Sequence, residues 1–228
     1  MIVYYGGTIS MSKLIVIEGL DGCGKTTQLE MLKEKFPKAN FITFPYYNTD
    51  SGRIVTDYLS GKFGEENPSV SAYSASAIYA VDRYTSYKTH WERLYKSENP
   101  LISARYVTSN AIYQMTKLKK NEWDGFLGWL FDFEYEKLGL PKPDRTIFLD
   151  MPIEVSQKLL TSRYNGDETK KDIHERDTAF LRACHEAALY TGEKCGWDIV
   201  PCSMGGEPRG IEEINKDLCR IIKETEDD

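Results

Sequence analysis

Residues 19–26, Gly-Leu-Asp-Gly-Cys-Gly-Lys-Thr, constrain this chain more than any other stretch. Their spacing is G-x-x-x-x-G-K-[ST], a loop whose backbone N–H groups converge on phosphate oxygens. Glycine is needed because a Cβ would block that approach. The run before it, Leu14-Ile15-Val16-Ile17-Glu18, is short, apolar and β-branched, and reads as a buried strand. The run after it places Leu29, Leu32 and Phe36 at helical spacing and ends at Pro37. A strand, a glycine-rich turn and a helix put the helix N-terminus, with its positive potential, at the bound phosphates. Gly19, Leu20, Asp21, Gly22, Cys23, Gly24, Lys25, Thr26 and Thr27 are therefore the expected ATP-binding loop. Lys25 pairs with the β- and γ-phosphates in this reading, and the Thr26 hydroxyl reaches Mg²⁺.

The same alternation continues along the chain. Strands are expected at 40–44, 100–103, 145–149 and 198–202. Helices are expected at 54–59, 71–93, 108–119, 123–138, 153–164, 178–190 and 211–223. Strands alternating with helices imply parallel βαβ units. The expected fold is α/β, a P-loop NTPase-type five-stranded parallel sheet with helices on both faces and a short lid over about 163–172. Residues 1–10 read as an upstream extension, and 11–228 as a single P-loop kinase domain. At 228 residues such a domain can bury a full core.

Charge and cysteine usage narrow the partners. A net charge of −6 argues against a general nucleic-acid binder. The five cysteines are odd in number, and none are in Cys-x-x-Cys spacing, which fits a reducing cytosol rather than a disulfide framework or zinc site. No apolar run approaches the ~18 residues that span a bilayer. Within the P-loop proteins, a GTPase would carry Asn-Lys-x-Asp, which is missing. A motor or transport ATPase would carry an apolar strand ending in Asp, and Ile147-Phe148-Leu149-Asp150 is a partial match.

Several segments, in order over about residues 13–223, resemble the bacterial thymidylate kinase family. Ile17 to Thr27 is similar to its P-loop, and Phe44-Pro45 to the turn after its second strand. Tyr79-Ala80-Val81-Asp82-Arg83 is similar to its aromatic-to-arginine helix. Arg105-Tyr106-Val107-Thr108-Ser109-Asn110-Ala111-Ile112-Tyr113-Gln114 is the most specific match. Asp172-Ile173-His174-Glu175 is similar to the end of its lid. The resemblance implies ATP and dTMP as substrates, Mg²⁺ as cofactor, a homodimer and a cytoplasmic location, with no nucleic-acid or membrane partner. Another P-loop nucleoside or nucleotide kinase, or a low-turnover nucleotide-binding protein, is the alternative.

The resemblance also implies roles. Tyr79 would stack on the thymine, whose flat face suits an aromatic ring. Arg83 would donate to thymine O4, and cytosine has a donor there. Asn110 suits the N3–H edge, and Tyr113 would press where a ribose 2′-hydroxyl would lie. Asp21 would accept from the sugar 3′-hydroxyl. Arg105 would clamp the acceptor phosphate with its planar fork. Phe44, Tyr47, Arg53, Ser109 and Gln114 complete the implied dTMP site. Arg163 and Lys170, with Lys171 nearby, would bring positive charge to the γ-phosphate. Asp172 and Glu175, at i and i+3, would lie near the metal or the sugar.

Three departures stand out. Gly22 occupies a position where some members carry arginine, so the lid is expected to supply that charge. Tyr46 replaces an arginine after Phe-Pro, leaving the phosphate contact to Tyr47 or Arg53. Ala104 replaces the acid before Arg-Tyr. Its absence leaves three readings: a slow enzyme, another acid such as Glu18 or Asp150, or an engineered substitution.

Overall fold

The computed structural model describes residues 14–64, 70–163 and 177–227. The suggested extension 1–10 and most of the expected lid lie outside them. Five parallel strands form one sheet in the order β2-β3-β1-β4-β5. They are β1 (Leu14–Gly19), β2 (Asn40–Thr43), β3 (Leu101–Ala104), β4 (Arg145–Asp150) and β5 (Asp198–Pro201). The central strand β1 pairs with β3 through Ile17↔Ala104 and with β4 through Gly19↔Leu149. Every β1 side chain is buried, as the apolar run requires.

Strand alternation sorts the core into two layers. Leu14 and Val16 face a layer rich in aromatics, with Trp91, Tyr106, Phe126 and Leu130. Ile15 and Ile17 face the other, with Leu32, Ile147, Leu149, Leu218 and Ile222. The helices supplying these side chains are α1 (Lys25–Lys35), α2 (Asp50–Leu59), α3 (Ala72–Ser86), α4 (Glu92–Tyr95), α5 (Thr108–Tyr113), α6 (Trp123–Phe131), α7 (Ile153–Arg163), α8 (Thr178–Cys195) and α9 (Ile211–Asp227). Among the described residues no helix is long and apolar enough to cross a membrane.

The helix boundaries differ from expectation for local reasons. The helix expected from Ile54 starts at Asp50, because the Thr49 hydroxyl caps it by accepting from Gly52 N at 3.0 Å. The stretch 71–93 is α3 followed by a π-helical segment, Tyr87–Trp91, and the short α4. The helix expected over 108–119 stops at Tyr113 and resumes as a 3₁₀ turn, Met115–Lys117. Thr116 donates its hydroxyl to Tyr113 O at 2.7 Å there, one of the side-chain bonds that compete with the helical ladder. The stretch 123–138 divides likewise into α6 and a π-helical segment, Asp132–Lys137. Helix α8 runs past the expected end at Tyr190 and stops at Gly196, whose φ of 67° is the left-handed C-terminal cap. A small hairpin, β6 (Ser203–Met204) and β7 (Glu207–Pro208), was not expected. Its signal is Gly205-Gly206, with φ of 61° and 82°, the dipeptide that a tight primed turn requires.

Because all five strands run parallel, their C-terminal ends share one edge of the sheet. Thr43, Ala104, Gly19 and Asp150 therefore open onto the same crevice, where ligands bind in such folds. The loop after β2 is pinned beside it by buried Asp82, which accepts from Tyr46 N at 2.9 Å and from Ser51 Oγ at 2.9 Å. Helix α2 packs so closely on this loop that a Cβ on Gly52 would stand 1.9 Å from Tyr46 O. Helix propensity alone favours alanine over glycine by about 1 kcal/mol. The clash has the opposite sign and is larger, so Gly52→Ala is expected to lower stability by about 2 kcal/mol. Urea unfolding of the ligand-free protein measures it, and a stabilised variant would show that the loop yields.

Candidate active site

The P-loop is assembled as its sequence requires. Gly22 and Gly24 both take positive φ, 79° and 83°, and Gly24 caps α1. The Lys25 ammonium, curled back over the loop, donates to Gly19 O at 2.7 Å. Desolvation lowers its pKa from the ordinary ammonium value, and the nearby Arg105 guanidinium pushes it the same way. A Cβ on Gly22 would meet Leu160 Cγ at 2.9 Å as well as strain the backbone. A side chain at this position would therefore require Leu160 of α7 to shift.

Arg105 is the one non-glycine residue with positive φ, 64°, among those described. Two bonds hold this conformation. Arg105 N donates to Ile17 O at 3.1 Å, and the next amide, Tyr106 N, donates to the Glu18 carboxylate at 3.1 Å. The turn throws the guanidinium over the P-loop, where Nη2 donates to Asp21 Oδ1 at 2.8 Å and Nη1 to Tyr113 Oη at 2.8 Å. The guanidinium carbon also lies 5.1 Å from the Tyr113 ring centroid. Asp21, Lys25, Arg105 and Tyr113 are thus one cluster. Strain at a residue held this tightly marks a functional site.

Glu18 is fully buried near the end of β1 and is held by protein donors, mainly at Oε1. Besides Tyr106 N, it accepts from Thr108 Oγ1 at 2.7 Å and from Ser109 Oγ at 2.8 Å. This acid, one of the two named above as possible substitutes for the acid missing at Ala104, is thus engaged by the protein, and Ser109 is committed to it. Asp150, the other suggested acid, is engaged too, since its Oδ1 lies 2.6 Å from His185 Nε2. Among the described residues no group of three or more His, Cys, Asp or Glu could hold a metal.

A second cluster lies between α3, α5 and the π-helical segment after α6. Tyr79 is half-buried, with its ring 5.9 Å from that of Tyr58 in an edge contact. Burial raises the Tyr79 phenol pKa, and the phenol stays neutral at any working pH. Arg83 is buried in a bidentate pair with Glu134, Nε to Oε2 and Nη2 to Oε1, both 2.6 Å. Asn110 donates Nδ2 to the same Oε1 at 3.2 Å. Arg83 and Asn110 are thus brought together, but through a carboxylate that sequence reasoning missed.

The model of the family described as thymidylate kinase matches residues 17–205. The chain belongs to the thymidylate kinase family. It is 33% identical to thymidylate kinase of Mycobacterium tuberculosis over 170 residues, 72% of this chain and 78% of that one. The solved structure of thymidylate kinase from Candida albicans superposes with a TM-score of 0.70 at 23% identity, covering 95% of this chain and 93% of that one. That similarity shows the shared fold.

Against this family, the implied dTMP site is only partly assembled as expected. Asp21, Arg105 and Tyr113 converge, and Tyr79, Arg83 and Asn110 form a second group. Gln114 is buried, with Oε1 lacking a partner among the described residues. Phe44 is a core residue, 5% exposed and packed on Tyr46, Trp91 and Tyr106, which leaves it little surface for a ligand. Arg53 is exposed and ion-paired with Asp50 one turn away, beside Tyr47 in a cleft that also includes Asn48, Thr49 and Thr56. The side chain of Arg163, and Lys170, Lys171, Asp172 and Glu175, lie outside the described residues.

Lys25→Met should lower turnover by about 10²-fold or more, the loss typical of one preorganised charge. The same change should not lower the melting temperature of the ligand-free protein at pH 7. Folding depresses the Lys25 pKa, so its charge disfavours the fold at neutral pH. That penalty disappears as pH rises from the folded value toward 10.5. Melting curves at pH 7 and pH 9.5 check the sign, with any advantage of the variant shrinking at the higher pH. A variant with undiminished turnover would remove Lys25 from the phosphate site.

Proposed function

We propose that this protein transfers the γ-phosphoryl group of ATP to dTMP, giving ADP and dTDP. The observation that carries the reading is the cluster of Asp21, Lys25, Arg105 and Tyr113, in a chain of this family. It brings the phosphate loop and the most specific family segment to one point at the sheet edge. ATP takes the loop Gly19–Thr27. Lys25 exchanges its bond to Gly19 O for the β- and γ-phosphates.

Mg²⁺ accompanies the nucleotide. It usually keeps several waters and takes few protein ligands beside phosphate oxygens. The exposed Thr26 hydroxyl on the first turn of α1 suits that thin protein shell. When bound, the ion neutralises charge on the transferring phosphoryl group. This reading needs no acid at Ala104 to bind the ion, only a slower rate than members that have one.

The acceptor enters from the α3 side. Tyr79 stacks on thymine, Arg83 and Asn110 read its O4 and N3 edge, and Gln114 adds a polar group at the same wall. Asp21 takes the 3′-hydroxyl, and Tyr113 fills the space a 2′-hydroxyl would need. Arg105 faces the acceptor phosphate, and Tyr47 or Arg53 supports it from the loop after β2. The attacking phosphate oxygen is already anionic, so no strong base is required. Arg163 and Lys170 are assigned the γ-phosphate, because Gly22 leaves the loop without an arginine. A homodimer in the cytoplasm goes with this reading.

The test is a coupled ADP-release assay across dTMP, dUMP, dCMP, UMP and dGMP. The kcat/KM for dTMP should exceed that for dCMP by several hundredfold, on the order expected where buried polar groups are mispaired. ADP release that is independent of dTMP would favour the low-turnover nucleotide-binding reading. Alanines at Arg163 and Lys170 together should lower kcat about 10²-fold while the dTMP KM changes far less. An unchanged kcat would leave Lys25, magnesium and Arg105 as the only charges on the γ-phosphate.

A further inference from the structure

Glu134 is a fully buried carboxylate to which neither the P-loop motif nor the family segments assign a role. It stands in the π-helical segment Asp132–Lys137, facing α3 and α5. Its two oxygens take Nε and Nη2 of Arg83, both at 2.6 Å. Oε1 also takes Nδ2 of Asn110 at 3.2 Å. The same Nδ2 points at Ser76 O, 3.4 Å away.

These contacts fix which way the Asn110 amide faces. A carboxylate paired with arginine accepts only, and so does a backbone carbonyl. Turning the amide over would set Oδ1 against two oxygens, acceptor against acceptor, and take one donor from each. Nδ2 is therefore spent inside the protein. Oδ1, the acceptor, has no protein donor among the described residues. Arg83 is committed in the same way, with Nε and one hydrogen of Nη2 on Glu134. Nη1 makes only a long 3.5 Å contact to Tyr106 O. What is left is donor capacity on Arg83, chiefly at Nη1, and an acceptor, Asn110 Oδ1, on two side chains tied to the same carboxylate oxygen. That pattern complements a carbonyl beside an imide N–H, as in thymine or uracil. Cytosine presents an amino donor beside a ring-nitrogen acceptor and is mismatched at both points.

Two further observations mark this wall as built for a polar ligand. Ser76 Oγ and Gln114 Oε1 are buried side-chain atoms without a hydrogen-bond partner among the described residues. They belong to α3 and to the end of α5, the same segments that carry Arg83 and Asn110.

We propose that Glu134 is a positioning residue that sets base specificity by fixing the donor of Arg83 and the acceptor of Asn110 together. The inference rests on the dTMP reading above. It goes beyond that reading by assigning discrimination to a residue that need not touch the base.

The test measures kcat and KM for dTMP and dCMP, at saturating ATP, for the full-length wild type, Glu134→Gln and Glu134→Asp. A glutamine amide can donate as well as accept, so Asn110 is free to turn and Arg83 loses its fork. Glu134→Gln is expected to raise the dTMP KM about tenfold or more, with kcat changing far less, the pattern of lost ground-state binding. The dTMP-to-dCMP ratio of kcat/KM should fall by about tenfold or more. Glu134→Asp keeps an acceptor-only carboxylate on a shorter arm and should recover part of the ratio. A purely structural role would lower the melting temperature and kcat for both nucleotides and leave their ratio alone. If Glu134→Gln does not fold, the decision falls to Glu134→Asp, whose ratio must then drop below wild type. A folded variant with wild-type discrimination overturns the inference alone. Wild-type protein that fails to turn over dTMP overturns the functional reading, and the inference with it.

Discussion

The buried carboxylate of Glu18 joins the two halves of the phosphate site. It lies near the end of β1, the strand that delivers the P-loop, and it accepts from Tyr106 N, Thr108 Oγ1 and Ser109 Oγ, all beyond β3. A carboxylate removed from water needs donors, and here the protein supplies one amide and two hydroxyls. The consequence reaches one residue back. With Tyr106 N held by Glu18 and Arg105 N held by Ile17 O, Arg105 is left in the left-handed region at φ 64°. A branched or bulky chain would rarely sit there unforced. The strain aims the guanidinium at Asp21 and Tyr113, so the geometry of this cluster depends on an acid outside the family segment that carries the arginine.

Much of this architecture was legible in the sequence because it is written in short-range signals. The glycine spacing of 19–26 fixes a strand, a turn and a helix at once. The β-branched runs at 14–18 and 145–149 are too apolar to be anything but buried parallel strands. Arg105 to Gln114 is specific enough to indicate the acceptor. What was not legible depends on pairing at long range. Glu134 lies among Trp123, Phe126, Trp129, Leu130, Phe133 and Tyr135, where the apolar pattern dominates and a single acid looks like a solvated position. Only the fold shows that it meets Arg83, 51 residues earlier in the chain. The donors that hold Glu18 were hidden for the same reason, since they come from beyond β3. Thr116 and Gly205-Gly206 were readable locally and were outweighed by helical and loop patterns around them.

Two of the three departures from the family pattern, Gly22 and Ala104, concern opposite charges and one reaction. Gly22 removes a cation, and Leu160 and Ser156 occupy the space a side chain would enter. Ala104 removes an anion from the edge of β3, next to Arg105. Losing both leaves the site more balanced than losing either alone. An arginine in the loop without the acid would add to the repulsion that Lys25 and Arg105 already exert on each other. Desolvation is the main cause of the depressed Lys25 pKa, and that repulsion adds to it.

The two cations are held apart by the protein's own acceptors before any nucleotide arrives. Lys25 rests on Gly19 O, and Arg105 rests on Asp21 and Tyr113. These are neutral or singly charged partners, weaker than phosphate oxygens for the same donors. In the proposed reading, polyphosphate would meet cations that are already oriented, and neutralisation would require only local rearrangement. A ligand that relieves repulsion in the folded state and has no such site in the unfolded chain stabilises the fold by mass action. The electrostatic tension of the ligand-free loop and the affinity for phosphate are thus two expressions of one arrangement, in which folding places the positive charges and the substrate supplies the missing anion.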